Sequence, residues 1–369
     1  MKYGSGTIKE LFLYNSIFLN NFNVTRIVPY SRGDQGFSLS NGVGHSIKSA
    51  LGEHLERISV YKNNFLLDND YIKAYSFKEG STKKVPAYYV SLIHDTPESK
   101  NFYTDTSGVA SHTNSNQLIT NSFLEFVERQ SLVFSFLTED PGLIVPENYT
   151  RLIKNFSSKA RQYIDNIIIN DISIFDDVFV ILIVGLGTKY HGIGLGSGLT
   201  LDDAIFSAFR EFFCFFWDMP TKELTDQGNE SQIQTVNDDR INQLFLAKND
   251  PYVYSSIFSK LVNSKYLYNK FSYLVENNNR TIVEEKDNID HKGIIELILK
   301  FVDKFQIDIL LSYIPFDKLN LSNKMIKIFS IDGYPHINTL MIDPNKYKMS
   351  FIKDVNQKFP NSRKYLPFP

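Results

Sequence analysis

Apolar residues along this chain recur with helical spacing in several places. In 42–60, Ile47, Leu51, Leu55 and Ile58 fall on one side of a helix at about 100° per residue. Ser49, Glu53 and Glu56 fall on the other side, with Arg57 at its edge, while His54 sits on the core-facing side and reads as a packed histidine. In 107–137, Phe123, Phe126 and Val127 stand largely opposite Glu125, Glu128 and Arg129. A third helix is predicted after "GIGLGSGLT", where Thr200 and Asp203 have capping-box spacing and Pro220 is expected to end the helix. Each of the three reads as a glycine-containing loop leading into a helix. A further amphipathic helix is predicted over 294–305, with Ile295, Ile298 and Val302 on one stripe.

Continuous apolar runs mark strands. "VFVILIV" at 178–184 is β-branched, flanked by Asp176, Asp177 and Gly185, and reads as a central buried strand. "IDILLSYIP" (307–315) and "MIKIFSI" (325–331) read as strands as well. Between about 221 and 290 the chain turns polar, yet "SSIFSKLVNSKYLYNKFSYLV" keeps buriable positions, so this stretch reads as an elaboration and not a separate domain. The tail "KYLPFP" cannot be helical, because prolines at alternate positions force an extended backbone. The expected architecture is mixed α/β (α+β), one domain over 1–369 with a polar elaboration at about 221–290 and a proline-containing tail at 364–369.

Composition narrows the function classes. At 43% hydrophobic and 22% charged, the 369 residues are those of a globular protein. A net charge of −2 provides no basic footprint for nucleic acid. The single cysteine, Cys214, excludes a disulfide framework and a thiolate zinc site; set among aromatics, it reads as a buried apolar residue. No signal peptide is recognisable at the N-terminus, and the longest apolar run is too short to span a bilayer, so a soluble, cytoplasmic protein without membrane association is expected.

The candidate chemistry lies in a repeat. "SALGEHLER" (49–57) and "NSFLEFVER" (121–129) both carry Glu-x-x-Glu-Arg on a helix, about seventy residues apart. One reading is a solvated face, with Glu53–Arg57 and Glu125–Arg129 as i,i+4 pairs worth a few tenths of a kcal/mol, about 0.3. The other is a cradle for a hard cation. Mg²⁺ takes a few carboxylates together with nucleotide phosphates, and arginine forks suit phosphate oxygens. Glu53, Glu56, Glu125 and Glu128 would supply the oxygens, with Glu211 on the third helix as a further donor. A phosphate-binding loop of the GxxxxGK[ST] type is absent, "GIGLGSG" does not fit GxGxxG, and no kinase motif set occurs.

Ser-x-x-x-Glu-x-x-Glu-Arg at 49–57, the second Glu-x-x-Glu-Arg after "SGVASHTNSNQL", the Glu211 helix and the terminal "LPFP" together resemble the YcaO family. Within it, "EFVERQSLVFSF" and "PFP" most resemble the cyclodehydratase subunits of microcin B17-type azole synthetases. The resemblance implies ATP and Mg²⁺ as cofactors, with Glu53, Glu56, Glu125, Glu128 and Glu211 on the metal. It places Ser49, Arg57, Thr113, Gln117, Arg129 and Arg210 at the nucleotide. Ala110, Thr113 and Gln117 stand where the family more often has Ser, Asn and Glu. Ser207 and Cys214 replace the usual basic residue and glutamine around Glu211, and Tyr365 replaces one proline of the tail.

The same resemblance implies a reaction. A Cys, Ser or Thr side chain of a ribosomally made precursor peptide attacks the preceding carbonyl. The oxyanion takes the γ-phosphoryl group of ATP, and phosphate leaves to give a thiazoline or oxazoline. Pro367 and Pro369 would direct the tail toward the site, so that deleting the last three residues is expected to stop turnover and spare the fold. A partner subunit that binds the leader peptide and an FMN-dependent azoline oxidase are implied. The alternatives are a thioamide- or amidine-forming enzyme of the same family and a non-catalytic scaffold subunit.

Overall fold

The computed structural model describes residues 8–29, 35–61, 70–91, 104–188, 190–226, 238, 241, 258, 262–276, 280–282, 293–315 and 324–368. Among them are six α-helices and three sheets, all antiparallel, in the mixed α/β class expected. The chain divides into two compact units, one built from 1–129, 290–336 and 346–353, the other from 130–289, 337–345 and 354–369.

The first unit contains two sheets. β1 (Ile8–Asn15), β2 (Phe22–Pro29) and β3 (Gly36–Asn41) form a meander in the order β1-β2-β3. Helix α1 (Val43–Tyr61) packs on it through small residues: a side chain on Gly36 would sit 2.0 Å from the Ala50 carbonyl oxygen. The most buried positions of α1 are therefore Ser46, Ala50 and His54, with Ser59 and Val60 near its end. Ile47, Leu51, Leu55 and Ile58, expected to face the core, are only half-buried, because the sheet admits the helix most closely along its small-residue side. β4 (Tyr71–Ser76), β5 (Ser81–Pro86), β6 (Val109–His112), β11 (Leu310–Tyr313) and β12 (Lys324–Phe329) form the second sheet, in the order β5-β4-β11-β12-β6.

Helix α2 (Ser115–Thr138) begins in the first unit and ends in the second. Phe123, Phe126 and Val127 are buried as predicted, Phe123 and Phe126 edge-on to Phe301. That ring belongs to the helix Ile294–Phe305, which has the predicted bounds and ends with Gln306 in the left-handed conformation. Its buried stripe is Leu297, Ile298, Phe301 and Val302. Ile295 is exposed, one residue off the line that i, i+3, i+4 spacing draws through those four.

In the second unit, β7 (Leu143–Ile144), β8 (Asn166–Asp171), β9 (Phe179–Leu186) and β10 (Gly192–Gly198) are ordered β10-β9-β8-β7. β9 is buried at every position and paired on both sides, as its apolar run predicted. "GIGLGSG", expected as a loop, is the strand β10. Its alternating glycines all point to one face, and helix α4 (Leu201–Asp226) lies directly on that face. A Cβ on Gly194 would come within 2.2 Å of the Ala208 carbonyl oxygen, and one on Gly196 within 2.2 Å of the Ala208 nitrogen. Thr200 caps α4 by accepting the Asp203 N–H at 3.2 Å and donating to its carboxylate at 2.7 Å. The helix does not end at Pro220 but continues to Asp226. A proline removes one N–H and crowds one carbonyl, about 3 kcal/mol, which the buried run Phe209, Phe212, Phe213 and Phe216 outweighs. α3 (Arg151–Ala160) and α5 (Ser264–Phe271), capped by Thr150 and Asn263, complete this unit, with the first unit's Ile294–Phe305 as α6. Of the polar stretch at 221–290, the described residues Ile241, Phe258, Val262, Leu267, Phe271 and Leu274 are buried.

Candidate active site

Each of the three motif helices follows a strand: β3 leads into α1, β6 into α2 and β10 into α4. All three strands lie at the edge of a sheet, where backbone N–H groups lack a neighbouring strand. A motif glutamate fills that gap in every case. Glu53 Oε2 accepts the Phe37 N–H of β3 at 2.6 Å, and Glu56 Oε1 accepts the Ser111 N–H of β6 at 2.7 Å. Glu211 Oε2 accepts the Leu195 N–H of β10 at 2.7 Å. Backbone N–H donors fix the carboxylates more firmly than flexible side chains would.

In the first unit, Glu53, Glu56, Glu125 and Glu128 come together with Arg57 and Arg129. Glu53 is also paired to Arg57, 2.5 Å from Oε1 to Nη2. Glu56 Oε1 takes the Ser111 hydroxyl at 2.8 Å besides the amide, so both bonds fall on one oxygen. Burial pushes the Glu56 carboxyl up to about 8, with the Ser111 bonds pulling down and the Glu53 charge pushing further up. Glu125 accepts no hydrogen bond among the described residues; its nearest cation is Arg129 Nε at 3.9 Å. Burial lifts its carboxyl well above the usual range. Arg129 opposes that, and Glu56, Glu128 and Asp105 add to it. Glu128, almost buried, lies 3.7 Å from the same Arg129 nitrogen.

This is a donor set with too much negative charge for its own cations. Among the described residues, no three acidic, histidine or cysteine side chains are drawn in tightly enough to hold a metal by themselves. Mg²⁺ takes one or two carboxylates and finds its other oxygens on phosphates and water. Glu56 and Glu125 are the two carboxylates with oxygens to spare and the most to gain from a cation.

The remaining candidates are placed as follows. Ser49 is exposed on α1, Thr113 is exposed between β6 and α2, and Gln117 is exposed in the first turn of α2, where it donates to Asn121. Ala110 is buried in β6 and so unavailable to a ligand. Glu211, Arg210, Ser207 and Cys214 lie on α4 in the second unit. Cys214, expected to be buried, is half-buried, because the helix turns Phe212, Phe213 and Phe216 inward in its place. Pro367 also belongs to the second unit, in a tail whose Tyr365, Leu366 and Phe368 are fully buried; Pro369 lies outside the described residues. The tail is fixed by the Asn361 side chain donating to the Phe136 carbonyl at 2.9 Å and by Thr339 donating to the Lys364 carbonyl at 2.6 Å. Removing it therefore costs core packing as well, contrary to the expectation that the fold would be spared. Asp105 and Lys327, whose charges act on this cluster, were not anticipated; a lone lysine inside the apolar run "MIKIF" is the one signal for the second, and it went unread.

A protein-family model described as YcaO cyclodehydratase, ATP- and Mg²⁺-binding, matches residues 67–281. No curated protein matches the chain by sequence. Among solved structures, the E. coli microcin synthetase McbBCD complex matches with TM-score 0.71 and 16% identity over 97% of this chain and 96% of that one. The same complex with pro-MccB17 bound matches with TM-score 0.72 and 17% identity over the same shares. The YcaO protein from Methanopyrus kandleri bound with AMPPCP and Mg²⁺ matches with TM-score 0.65 and 13% identity, over 92% and 88%. At these identities the likeness is one of fold. Among the described residues no helix is long and apolar enough to cross a membrane.

Proposed function

Because this chain belongs to the YcaO family, and is thus an ATP- and Mg²⁺-dependent cyclodehydratase, we propose that it phosphorylates backbone amide oxygens of a ribosomally made peptide and closes Cys, Ser or Thr onto the preceding carbonyl as azolines. The observation that carries the site assignment is the pair Glu56 and Glu125, two recessed carboxyls pushed up by burial, with the Glu53 charge adding to the first and the Glu56, Glu128 and Asp105 charges to the second.

In this reading Glu56 and Glu125 hold Mg²⁺, with Glu53 and Glu128 beside them. Bound magnesium would supply positive charge to the phosphates of ATP. Glu53 keeps the Arg57 guanidinium in place, and Glu125 and Glu128 do the same for Arg129. Both forks can then donate to phosphate oxygens as charge builds in the transfer. Ser49, Thr113 and Gln117 offer exposed hydroxyl and amide groups to the nucleotide. Glu211 as a further carboxylate, Arg210 at the nucleotide, and the extended tail with Pro367 and Pro369 are assigned by family resemblance. Phosphoryl transfer is largely positioning and charge stabilisation, which suits carboxylates pinned to strand edges.

The substrate is proposed to be a precursor peptide with a leader and a Cys/Ser/Thr-containing core. A leader-binding subunit and an FMN-dependent oxidase are the proposed partners; the likeness to the microcin synthetase complex, solved also with pro-MccB17 bound, supports partner subunits and a peptide substrate. The test is phosphate release with Mg·ATP that depends on the peptide, read together with the peptide's mass. Loss of one water per ring is expected, and Glu125→Gln should abolish both signals. Release of phosphate that ignores the peptide, or that survives Glu125→Gln, refutes the assignment.

A further inference from the structure

The strand and helix that carry Glu53 occur twice in this chain. In β3 and α1, a side chain on Gly36 would meet the Ala50 carbonyl oxygen at 2.0 Å, and the Phe37 N–H donates to Glu53 at 2.6 Å. In β10 and α4, one on Gly194 would meet the Ala208 carbonyl oxygen at 2.2 Å, and the Leu195 N–H donates to Glu211 at 2.7 Å, each residue 158 positions further on. The meander in front repeats too, as β1-β2-β3 in the first unit and β8-β9-β10 in the second. Followed strand by strand, the two sets of ladders place Ile169, Asn170 and Asp171 of β8 where β1 has Leu11, Phe12 and Leu13. The copies differ on the far side of this outer strand. β8 is paired there by β7, Leu143 with Asp171 and Ile144 with Asn170, and the Val145 N–H donates to the Ile169 carbonyl at 2.9 Å. The last four positions of β8 are buried, whereas β1 is exposed at all eight and, among the described residues, pairs with β2 alone.

Ile8, Leu11, Phe12, Leu13 and Tyr14 are each 37 to 43% exposed. Leu11 and Leu13 stand on one face of the strand, Phe12 and Tyr14 on the other with their rings 6.3 Å apart. An uncovered edge strand is a template for another strand, and one that is apolar on both faces calls for a partner strand that is apolar on both faces as well. The charges of β1, Lys9 and Glu10, lie 3.7 Å apart and cancel, so the edge has no field to select an acidic or a basic peptide. The sequence IKELFLYN meets both requirements itself. We propose that β1 is a self-association edge, at which a second copy of this chain adds its own β1 antiparallel and joins two three-stranded sheets into one about a two-fold axis at Phe12. In that register Phe12 faces the partner's Phe12 and Leu11 faces the partner's Leu13. Lys9 and Glu10 face the partner's Asn15 and the partner's Tyr14, so no like charges meet. The edge does not depend on the reading of the glutamate cluster.

The test is sedimentation equilibrium of the full chain from about 1 to 100 µM, the range in which an interface of one strand pair should dissociate, with wild type set beside Phe12→Lys. Wild type should pass from monomer toward dimer across this range. Phe12→Lys should raise the dissociation constant by about tenfold or more, since an edge lysine blocks strand addition, with the melting temperature of the dilute protein unchanged. Single cysteines in a Cys214→Ser background read the register. Under mild oxidation Phe12→Cys should link two chains, because facing Cα atoms lie about 4.5 to 5.5 Å apart. Asn15→Cys should not, because its two copies would lie about 20 Å apart along the paired strands. A wild type that stays monomeric at about 100 µM overturns the proposal and leaves the edge to a different subunit or to a peptide. A dimer that Phe12→Lys leaves intact overturns it as well, since another surface then makes the contact. So does a dimer that Asn15→Cys links as readily as Phe12→Cys. Should Phe12→Lys fail to fold, the two cysteine variants decide alone.

Discussion

Replacing Glu56 by Gln should make the nucleotide-free protein more stable, and increasingly so as the pH rises. In the fold the Glu56 carboxyl keeps its proton up to about pH 8, against 4.5 for an unperturbed carboxyl. Between those values the folded chain binds a proton that the unfolded chain has released, so stability falls as pH rises through the window, by about 1.36 kcal/mol per unit. Over the whole interval the loss comes to about 5 kcal/mol at most. Glutamine keeps the oxygen that accepts both Ser111 bonds, at 2.7 and 2.8 Å, and carries no charge at any pH. Urea unfolding of both proteins in chelator at pH 5, 6, 7 and 8 isolates this residue, because the other titrations cancel in the difference. The two should agree to within about 1 kcal/mol at pH 5, with the variant ahead by several kcal/mol, about 3 to 5, at pH 8. A difference independent of pH, or one that favours wild type as pH rises, would mean that Glu56 is ionised in the folded chain and would refute the reasoning.

Three other outcomes follow from the same structure. Gly196→Ala puts a methyl 2.2 Å from the Ala208 nitrogen and 2.5 Å from the Ala204 carbonyl oxygen; it should cost about 3 kcal/mol in urea unfolding, and a neutral result would mean that α4 is not seated on β10 as described. Deleting 367–369 removes the fully buried Phe368, so the melting temperature should drop, with a loss of about 3 kcal/mol or more, along with peptide-dependent phosphate release. A truncated protein with full turnover would take the tail out of the mechanism. Arg57→Lys keeps the charge beside Glu53 but not the fork; the Michaelis constant for ATP should rise about tenfold with the melting temperature unchanged, and unaltered kinetics would remove Arg57 from the nucleotide site.

Much of this was legible in the sequence, for reasons that differ from element to element. The strand at 179–186 and the helix at 294–305 announce themselves, because burial on both faces demands an unbroken apolar run and a helix packed along one side demands an amphipathic stripe. The Glu-x-x-Glu-Arg repeat was readable because like charges three apart need a reason. "GIGLGSG" misled: alternating glycines look like a loop when glycine is taken as flexible, yet period two is the spacing of one strand face. The small-residue contact of α1 was equally hidden, since Ala50 matters only once Gly36 lies beneath it and Ser46 only once Thr25 and Ser38 of the sheet meet its hydroxyl. Asp105 escaped because its place depends on long-range pairing of β12 with β6, which no local pattern encodes, and Lys327 because its local signal, a charge inside an apolar run, does not say what it faces.

The glutamates that close the three sheet edges have a consequence for how this family member can be probed. An uncovered edge strand is a template on which a second chain can add its own strand. Truncating Glu53, Glu56 or Glu211 to alanine removes an acceptor from Phe37, Ser111 or Leu195 and leaves that template bare. Such variants should tend to self-associate into polymers, and their lost turnover would then report a depleted monomer pool and not a missing ligand. Glutamine keeps an oxygen for the strand while removing the charge, so the pairs Glu→Gln and Glu→Ala at each position separate the two outcomes by light scattering alone.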